Sequence, residues 1–187
     1  SIASVTIVAP PAPSITGPTT ACTGSSAMST MSVAVPNTNN TYTWSATGGS
    51  VYAGQGTPTA QIQWNAAGTQ TVTVTERNTT LGCETTTTYT VTVRTVATPV
   101  ISGLVVGCVG QTSNYTVQNN AGSTYNWTVT SGTIEQGQGS NAVVIRWGAN
   151  SVGTIRVTET NNGCSAQSLP YDVQIVPVPT ATITGTS

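Results

Sequence analysis

The chain has 187 residues, of which 5% are charged, against roughly 25% in an ordinary soluble domain. It contains four Lys or Arg, five Asp or Glu and no His, and its formal net charge is -1. The lack of His excludes a catalytic triad and a His-based metal site, and four dispersed cations are too few to neutralise a nucleic-acid backbone. We therefore expect no enzyme, no metal ion, no cofactor and no nucleic-acid partner.

No apolar stretch approaches the roughly 20 residues that a membrane-spanning helix needs, so we predict no direct membrane insertion. Apolar residues instead alternate with Thr, Ser and Gln, and helical periodicity is missing. Period-2 alternation places the apolar side chains on one face of a strand. In chain order, this pattern predicts the first strands around residues 5–7, 15–17, 42–46, 61–64, 71–75 and 89–93.

The second half of the chain repeats the first with an offset of 83 residues, as in Trp44 and Trp127. Such self-similarity is typical of tandem domains. The same offset relates four pairs of segments: Tyr42-Thr-Trp44 and Tyr125-Asn-Trp127, Gly54-Gln-Gly56 and Gly137-Gln-Gly139, Ile62-Gln-Trp64 and Ile145-Arg-Trp147, and Val74-Thr-Glu76 and Val157-Thr-Glu159.

The phase of the repeat predicts the domain boundaries. Residues 10–97 and 98–178 are expected to form two complete repeats, with proline at the joints. Residues 1–9 resemble the last strand of a preceding repeat and residues 179–187 the first strand of a following one. About seven short strands per repeat, separated by glycine-rich turns, predict an all-β chain of tandem immunoglobulin-like β-sandwich domains in a linear array.

One cysteine lies near the start of each repeat and one before its last strand. The simplest pairing is Cys22 with Cys83 and Cys108 with Cys164, because it keeps each disulfide within a repeat. Each such crosslink would stabilise its sandwich by roughly 4 kcal/mol and would indicate an oxidising compartment. The alternative is four free buried thiols.

Most aromatic residues recur at the same phase in both repeats and alternate with polar residues, which favours core packing over a sugar-stacking platform. Tyr52 and Tyr115 lack an aromatic counterpart in the other repeat, so they are the candidates for exposed ligand contacts. The predicted core aromatics are Tyr42, Trp44, Trp64, Tyr89, Tyr125, Trp127, Trp147 and Tyr171.

Glu76 and Glu159 occupy equivalent positions at the end of a Val-Thr strand. Each carboxylate could accept backbone N–H groups of the following turn or bind calcium, but calcium usually takes several oxygen ligands including more than one carboxylate. Turn bracing is therefore the favoured interpretation. The Gly-Gln-Gly segments are interpreted as turns, since no helix and no Lys follow to form a phosphate site.

Together these motifs resemble the PKD-like immunoglobulin-type repeats of secreted Bacteroidota proteins. The resemblance covers both complete repeats, although the first inserts residues before its second cysteine. It is carried by Tyr42, Trp44, Gly54, Gly56, Trp64, Glu76 and Cys83, and by Tyr125, Trp127, Gly137, Gly139, Trp147, Glu159, Asn162, Gly163 and Cys164.

In that family such modules are strung in tandem within very large cell-surface adhesins, including those of the gliding-motility machinery. The resemblance implies an extracellular stalk segment that contacts neighbouring repeats of its own chain, other copies or surface-anchoring proteins. The alternative is a carbohydrate-binding or spacer module of a secreted enzyme. Lateral self-assembly through uncharged sheet faces is a third hypothesis.

Overall fold

The computed structural model describes residues 9–24, 28–149 and 151–179. Across these ranges the regular structure consists of strands alone, which confirms the all-β prediction. None of the described residues forms a helix long and apolar enough to cross a membrane. The chain divides into two compact units between Thr95 and Val96, two residues before the predicted boundary. The strands predicted at 1–9 and 179–187 fall almost wholly outside the described ranges and stay predictions.

The first unit is a sandwich of two four-stranded sheets, with strand orders β1-β3-β6-β5 and β2-β8-β7-β4. All pairings are antiparallel except that of β2 with β8. The strands are β1 (Ile15–Thr16), β2 (Thr20–Cys22), β3 (Met28–Val33), β4 (Asn40–Ala46), β5 (Gly49–Ala53), β6 (Thr59–Trp64), β7 (Gly68–Asn78) and β8 (Glu84–Arg94).

The second unit repeats this arrangement, with strand orders β13-β14-β11-β9 and β10-β17-β15-β12, and with β16 also pairing with β15. Its strands are β9 (Ser102–Gly103), β10 (Val106–Cys108), β11 (Thr112–Thr116), β12 (Ser123–Val129), β13 (Gly132–Gln136), β14 (Ala142–Trp147), β15 (Val152–Asn161), β16 (Cys164–Gln167) and β17 (Tyr171–Val176).

The second unit has one more strand because the counterpart of β8 is interrupted between β16 and β17. Pro170 lies in the interruption, and proline cannot donate a ladder hydrogen bond. Ser168 instead bridges to β15: its N–H donates to the Val157 carbonyl at 2.8 Å, and its hydroxyl accepts the Val157 N–H at 3.0 Å. The break is therefore satisfied locally, and the sheet keeps its order.

Each sandwich has its own hydrophobic core, built from the inward faces of strands of both its sheets. In the first, the indole N–H of Trp64 donates to the Ser29 hydroxyl at 2.9 Å, and in the second Trp147 reaches Ser113 at 3.3 Å. A buried indole therefore finds a polar partner in both repeats. Six of the predicted core aromatics are buried, namely Tyr42, Trp44, Trp64, Tyr125, Trp127 and Trp147, while Tyr89 and Tyr171 are half-buried at the edges of the cores.

Candidate functional site

Tyr115 lies in the core rather than at the surface, which corrects the sequence prediction. Tyr52 is 64% exposed on β5, whereas Tyr115 is fully buried on β11. The Tyr115 hydroxyl donates to the Leu104 carbonyl at 3.0 Å, so its polar end is satisfied inside the unit. Met31 takes the corresponding place in the first repeat, opposite Ala60 of β6. Because Met is not aromatic, the sequence comparison mistook a core substitution for a surface residue.

The Tyr115 ring packs edge-on against two aromatic neighbours. Its centroid lies 6.0 Å from those of Trp147 and Tyr171, with interplanar angles of 86° and 68°. Burial raises the pKa of the Tyr115 hydroxyl, although hydrogen bonding to Ser113 and Trp147 acts in the opposite direction. The residue is thus a core anchor, and Tyr52 alone remains of the two proposed exposed contacts.

The cysteine states differ from the prediction. Cys83 and Cys108 are free thiols, whereas Cys22 and Cys164 are disulfide-bonded. The predicted pairs, Cys22 with Cys83 and Cys108 with Cys164, are therefore wrong, and so is the alternative of four free thiols.

The two cysteines of each sandwich lie too far apart to form a disulfide with each other. Cys22 lies beside Arg94, the last residue of β8, in the strand register, while Cys83 directly precedes the first residue of β8. That strand has 11 residues, so its ends lie about 33 Å apart at a rise of about 3.3 Å per residue. A disulfide needs Cα atoms within about 7 Å, so the repeat cannot close on itself.

The second repeat has the same separation. In the strand register, Cys108 lies beside Val176 at the end of β17, whereas Cys164 lies beside Asn161 at the far end of β15. Since β15 has 10 residues, about 30 Å lies between the two cysteines. Sequence equivalence correctly identifies matching cysteines but cannot show that each pair is split between opposite ends of a sandwich.

Glu76 is a buried carboxylate held by side chains rather than by the backbone of the following turn. Its Oε1 accepts the Asn40 amide at 2.7 Å and the Tyr42 hydroxyl at 2.9 Å. The Tyr42 oxygen in turn accepts the Asn37 N–H at 2.7 Å. Burial raises the pKa of Tyr42, and the adjacent Glu76 charge acts in the same direction. The cluster ties β4, β7 and the loop before β4 together.

Glu159 is the equivalent buried carboxylate of the second repeat, but a different set of donors surrounds it, and the Tyr125 hydroxyl donates to the Gln118 carbonyl at 3.0 Å instead of to Glu159. The Oε1 of Glu159 accepts the Asn120 amide at 2.8 Å and the Ser123 hydroxyl at 2.6 Å. The Tyr125 oxygen accepts the Asn120 N–H at 2.8 Å. A buried carboxylate is tolerated only when such partners satisfy it, which explains why both repeats place donors around the same Glu.

Each carboxylate faces a small cleft at the end of the sandwich where the chain enters. In the first repeat the cleft has a volume of about 440 Å³ and is lined by Pro11, Asn37 and Glu76 among others. The Asn40 Oδ1 atom has no hydrogen-bond partner there. One carboxylate and one amide oxygen are far fewer ligands than the six to eight oxygens calcium takes. Within the described ranges, no three His, Cys, Asp or Glu side chains gather into a metal-binding group.

The Gly-Gln-Gly segment has a role that the sequence interpretation missed. Gln55 uses its side-chain amide as a backbone mimic: Oε1 accepts the Trp44 N–H at 2.9 Å, and Nε2 donates to the Trp44 carbonyl at 2.6 Å. The Trp44 indole N–H donates to the Thr57 carbonyl at 2.9 Å. The loop thereby joins the β5-β6 hairpin of one sheet to β4 of the other.

The second repeat preserves the same contacts. Gln138 accepts the Trp127 N–H at 2.8 Å and donates to the Trp127 carbonyl at 3.0 Å. The Trp127 indole donates to the Ser140 carbonyl at 2.8 Å. The signal available in the sequence is the invariance of the Gln between the two repeats, since a turn alone requires only the glycines.

The solved structures that are similar to this chain have low sequence identity to it. The fibronectin(III)-like modules of Clostridium thermocellum CbhA are 14% identical, with 87% of this chain and 93% of that chain covered and a TM-score of 0.43. A SusE-like surface polysaccharide-binding protein from the Bacteroides thetaiotaomicron heparin utilisation locus is 10% identical, with 86% and 34% covered and a TM-score of 0.45. The chain spans only about a third of the latter. No curated protein matches this sequence.

A family model gives the more specific comparison. The model of the PKD-like domain matches residues 8–93 and again residues 94–175. The two matches meet within two residues of the boundary between the compact units, and together they cover most of the sequence. The chain therefore belongs to the PKD-like domain family and contains two tandem members of it.

Proposed function

We propose that this chain is a load-bearing stalk segment of a long extracellular cell-surface adhesin or filament. The observation that carries the proposal is the parallel pairing of the first and last strands in the same sheet of each repeat, β2 with β8 and β10 with β17. In a parallel pair the chain enters at one end and leaves at the other. Tension along the chain therefore loads these strands in shear.

A strand pair loaded in shear resists force better than one that is peeled apart, because several hydrogen bonds must break together instead of one after another. In the first repeat the Thr23 N–H donates to the Arg94 carbonyl at 2.8 Å, and the Thr92 N–H donates to the Thr19 carbonyl at 2.9 Å. In the second repeat Val109 donates to Val176 at 2.9 Å and Gln174 to Val105 at 2.8 Å. Both repeats thus carry the same clamp between their termini.

The aromatic side chains support a structural role over ligand recognition. All four Trp residues of the chain are buried in the sandwich cores. PKD-like and immunoglobulin-like domains are typically non-catalytic, and the composition of this chain offers no imidazole for acid-base chemistry. A carbohydrate-binding or spacer role in a secreted enzyme is the second candidate, and its one structural support is the exposed ring of Tyr52.

The disulfide-bonded state of Cys22 and Cys164 supports an extracellular location, because disulfides persist in oxidising compartments. We place the protein on the surface of a cell, as in the adhesins of Bacteroidota that the motifs resemble, with gliding motility as the process it serves. Its partners in this proposal are further PKD-like repeats, other copies and surface-anchoring proteins.

Single-molecule pulling between the two termini, with reductant present so that the backbone carries the load, tests the stalk function. Thr23→Pro removes the N–H that donates to Arg94, while the matched control Thr23→Ala keeps it. One lost hydrogen bond of about 1 kcal/mol corresponds to a roughly fivefold faster unfolding of the first repeat at a given force. Equal unfolding rates for the two variants would contradict a load-bearing clamp.

Location and ligand binding need separate tests. Antibodies against the chain should label intact cells of the source organism, and labelling restricted to permeabilised cells would refute the surface assignment. A glycan array in which binding is lost on Tyr52→Ala would favour the carbohydrate-recognition alternative over the stalk.

A further inference from the structure

The last strand of the first repeat, β8, has one edge that is mostly uncovered. It pairs with β7 from Glu84 to Val93, but on its other side β2 covers only Thr92–Arg94. Within the described ranges, residues 84–90 pair with no strand on that side. At the opposite edge of the same sheet, the side chain of Gln55 bonds the backbone of β4. The sheet therefore has one protected edge and one open edge.

The hydrogen bonds at the covered end show which backbone groups of β8 point away from β7. The Thr92 N–H and the Arg94 carbonyl both form hydrogen bonds on the β2 side. The register with β7 runs without a shift, and in an antiparallel strand every second residue directs its N–H and C=O to the same side. The residues with outward groups on the open edge are therefore Glu84, Thr86, Thr88 and Thr90.

The second repeat closes the equivalent edge. Its segment 164–171, from cysteine to tyrosine, is one residue longer than the equivalent segment 83–89 and contains Pro170. The strand is interrupted there between β16 and β17. Prolines and extra residues are devices by which sheets prevent pairing at their edges. In the first repeat β8 is one continuous strand of 11 residues without proline, so its edge keeps the ability to pair.

We propose that the open edge of β8 is an interaction surface for a second copy of this chain, whose own β8 pairs with it antiparallel about Thr87. In this register Thr86 faces Thr88 of the second copy, and Glu84 faces Thr90 of the second copy. All four outward residues of each copy are then used, which gives up to about eight backbone hydrogen bonds. The pairing would join two four-stranded sheets into one continuous sheet.

A second copy fits this edge because the edge is complementary to itself. Glu84 is the one charged residue in the segment 84–90, and in the proposed register it faces a threonine. The two Glu84 side chains would lie six residues apart, about 20 Å, which exceeds the Debye length of about 8 Å at physiological salt. Threonines then face each other on the outer surface, and cross-strand threonine pairs can hydrogen-bond, as Thr75 and Thr86 do at 2.8 Å within the chain.

The proposed contact ends at a dimer. An isologous contact uses the same edge of both copies, and Gln55 occupies the backbone of the other edge strand at Trp44. The inference deepens one part of the proposed function, the contact with other copies, by naming the surface and its register. It does not involve the hydrogen bonds between β2 and β8, so the pulling experiment on Thr23 is independent of it.

Cysteine crosslinking tests the surface and its register in the full chain. Cys83→Ser and Cys108→Ser first remove the two free thiols. Thr87→Cys and Thr85→Cys are then compared in this background, since both positions are half-buried on the same face of β8. In the proposed pair the two Cα atoms at position 87 lie about 4.5 Å apart, within the reach of a disulfide, whereas those at position 85 lie about 13 Å apart.

Under mild oxidation Thr87→Cys should give at least about tenfold more disulfide-linked dimer than Thr85→Cys, because only position 87 meets the distance limit. Equal yields from the two variants, a larger yield from Thr85→Cys, or no dimer from either would overturn the proposal.

A proline variant tests the backbone hydrogen bonds without a crosslink. The Thr88 N–H points away from β7, so Thr88→Pro removes a donor that the fold does not use, while the matched control Thr88→Ala keeps it. Two of the hydrogen bonds of the dimer are lost, one from each copy, and the dissociation constant should rise at least about tenfold. Thr88→Ala should change it by less than about threefold.

Sedimentation equilibrium measures the dissociation constants, and urea denaturation checks that both variants fold. A pair of this size belongs with weak, transient interfaces, so the concentration series extends to the solubility limit. Wild type that stays monomeric throughout, or equal association of the two folded variants, would show that the β8 edge does not bind a second copy. If the proline variant does not fold, the crosslinking comparison decides.

Discussion

The side chain of Gln55 occupies the place of a neighbouring strand beside Trp44. Its amide accepts the Trp44 N–H at 2.9 Å and donates to the Trp44 carbonyl at 2.6 Å, and β4 is the last strand in its sheet order. A sheet edge with open N–H and C=O groups is a template for association with another chain. Since the chain has few charges to oppose such association, the glutamine protects its edge strand by hydrogen bonding instead.

Replacing Gln55 by Ala should therefore lower stability and promote self-association. Two hydrogen bonds to buried backbone are lost, at about 1–2 kcal/mol in total. Urea denaturation measures the free energy of unfolding, and sedimentation velocity at high concentration measures association.

Gln61→Ala provides the control, because Gln61 is an exposed glutamine of the adjacent strand β6. It should change the free energy of unfolding by less than about 0.5 kcal/mol. Equal association of the two variants would mean that loss of a surface amide, and not exposure of the β4 edge, drives aggregation.

The glycines on either side of Gln55 should differ in their tolerance of a side chain. Both have positive φ, +91° at Gly54 and +82° at Gly56, which costs an L residue about 1–2 kcal/mol. A Cβ at Gly54 would also overlap the Thr59 carbonyl oxygen, whereas a Cβ at Gly56 meets open space. In thermal and urea denaturation, Gly54→Ala should lower the free energy of unfolding at least twice as much as Gly56→Ala. A similar loss for both variants would contradict the close approach of position 54 to the Thr59 carbonyl.

The fold could be predicted from the sequence because its signals are local and duplicated. The alternation around Trp44 and Val74 fixes which faces are buried, and the 83-residue offset doubles each observation. The role of Gln55 could not be predicted in this way, since its partner lies 11 residues away on the other sheet. The cysteine pairing failed for the same reason: sequence shows equivalence, but only topology shows which end of a sandwich a residue occupies.

The buried carboxylate of Glu76 should be more important for stability than any exposed acid of the chain. Glu76→Ala leaves the Asn40 amide without its acceptor and removes one of the two acceptors of the Tyr42 hydroxyl, the other being the Asn37 carbonyl, at a cost of about 2–4 kcal/mol. Glu76→Gln keeps one acceptor oxygen and should cost less. Urea denaturation of the purified variants gives both values.

The matched control is Glu135→Ala, which breaks the exposed ion pair with Arg146 at 2.8 Å. Exposed pairs of this kind contribute about 0–1 kcal/mol. If Glu135→Ala were as destabilising as Glu76→Ala, the side-chain cluster around Glu76 would not be the brace that its geometry indicates.

Alkaline pH should unfold the protein through its buried tyrosines. Burial raises the pKa of Tyr115 above its ordinary value of 10.0. Above that pH the unfolded chain releases the hydroxyl proton while the folded chain retains it, so the folded state binds more protons and the free energy of unfolding falls as pH rises. The stabilising contribution is complete below pH 10 and is lost as pH rises through the folded-state pKa.

The experiment is urea denaturation of wild type and Tyr115→Phe at successive pH values on either side of 10. Tyr115→Phe removes the titrating hydroxyl and its hydrogen bond to the Leu104 carbonyl, so it should lower the free energy of unfolding by about 1 kcal/mol at neutral pH. Above pH 10 the free energy of unfolding of this variant should fall less steeply than that of the wild type. Tyr52→Phe applies the same chemical change to an exposed ring. A decline in Tyr115→Phe as steep as in wild type would mean that the buried hydroxyl is not a source of the alkaline instability, and Tyr42, whose pKa burial also raises, would be the next residue to replace.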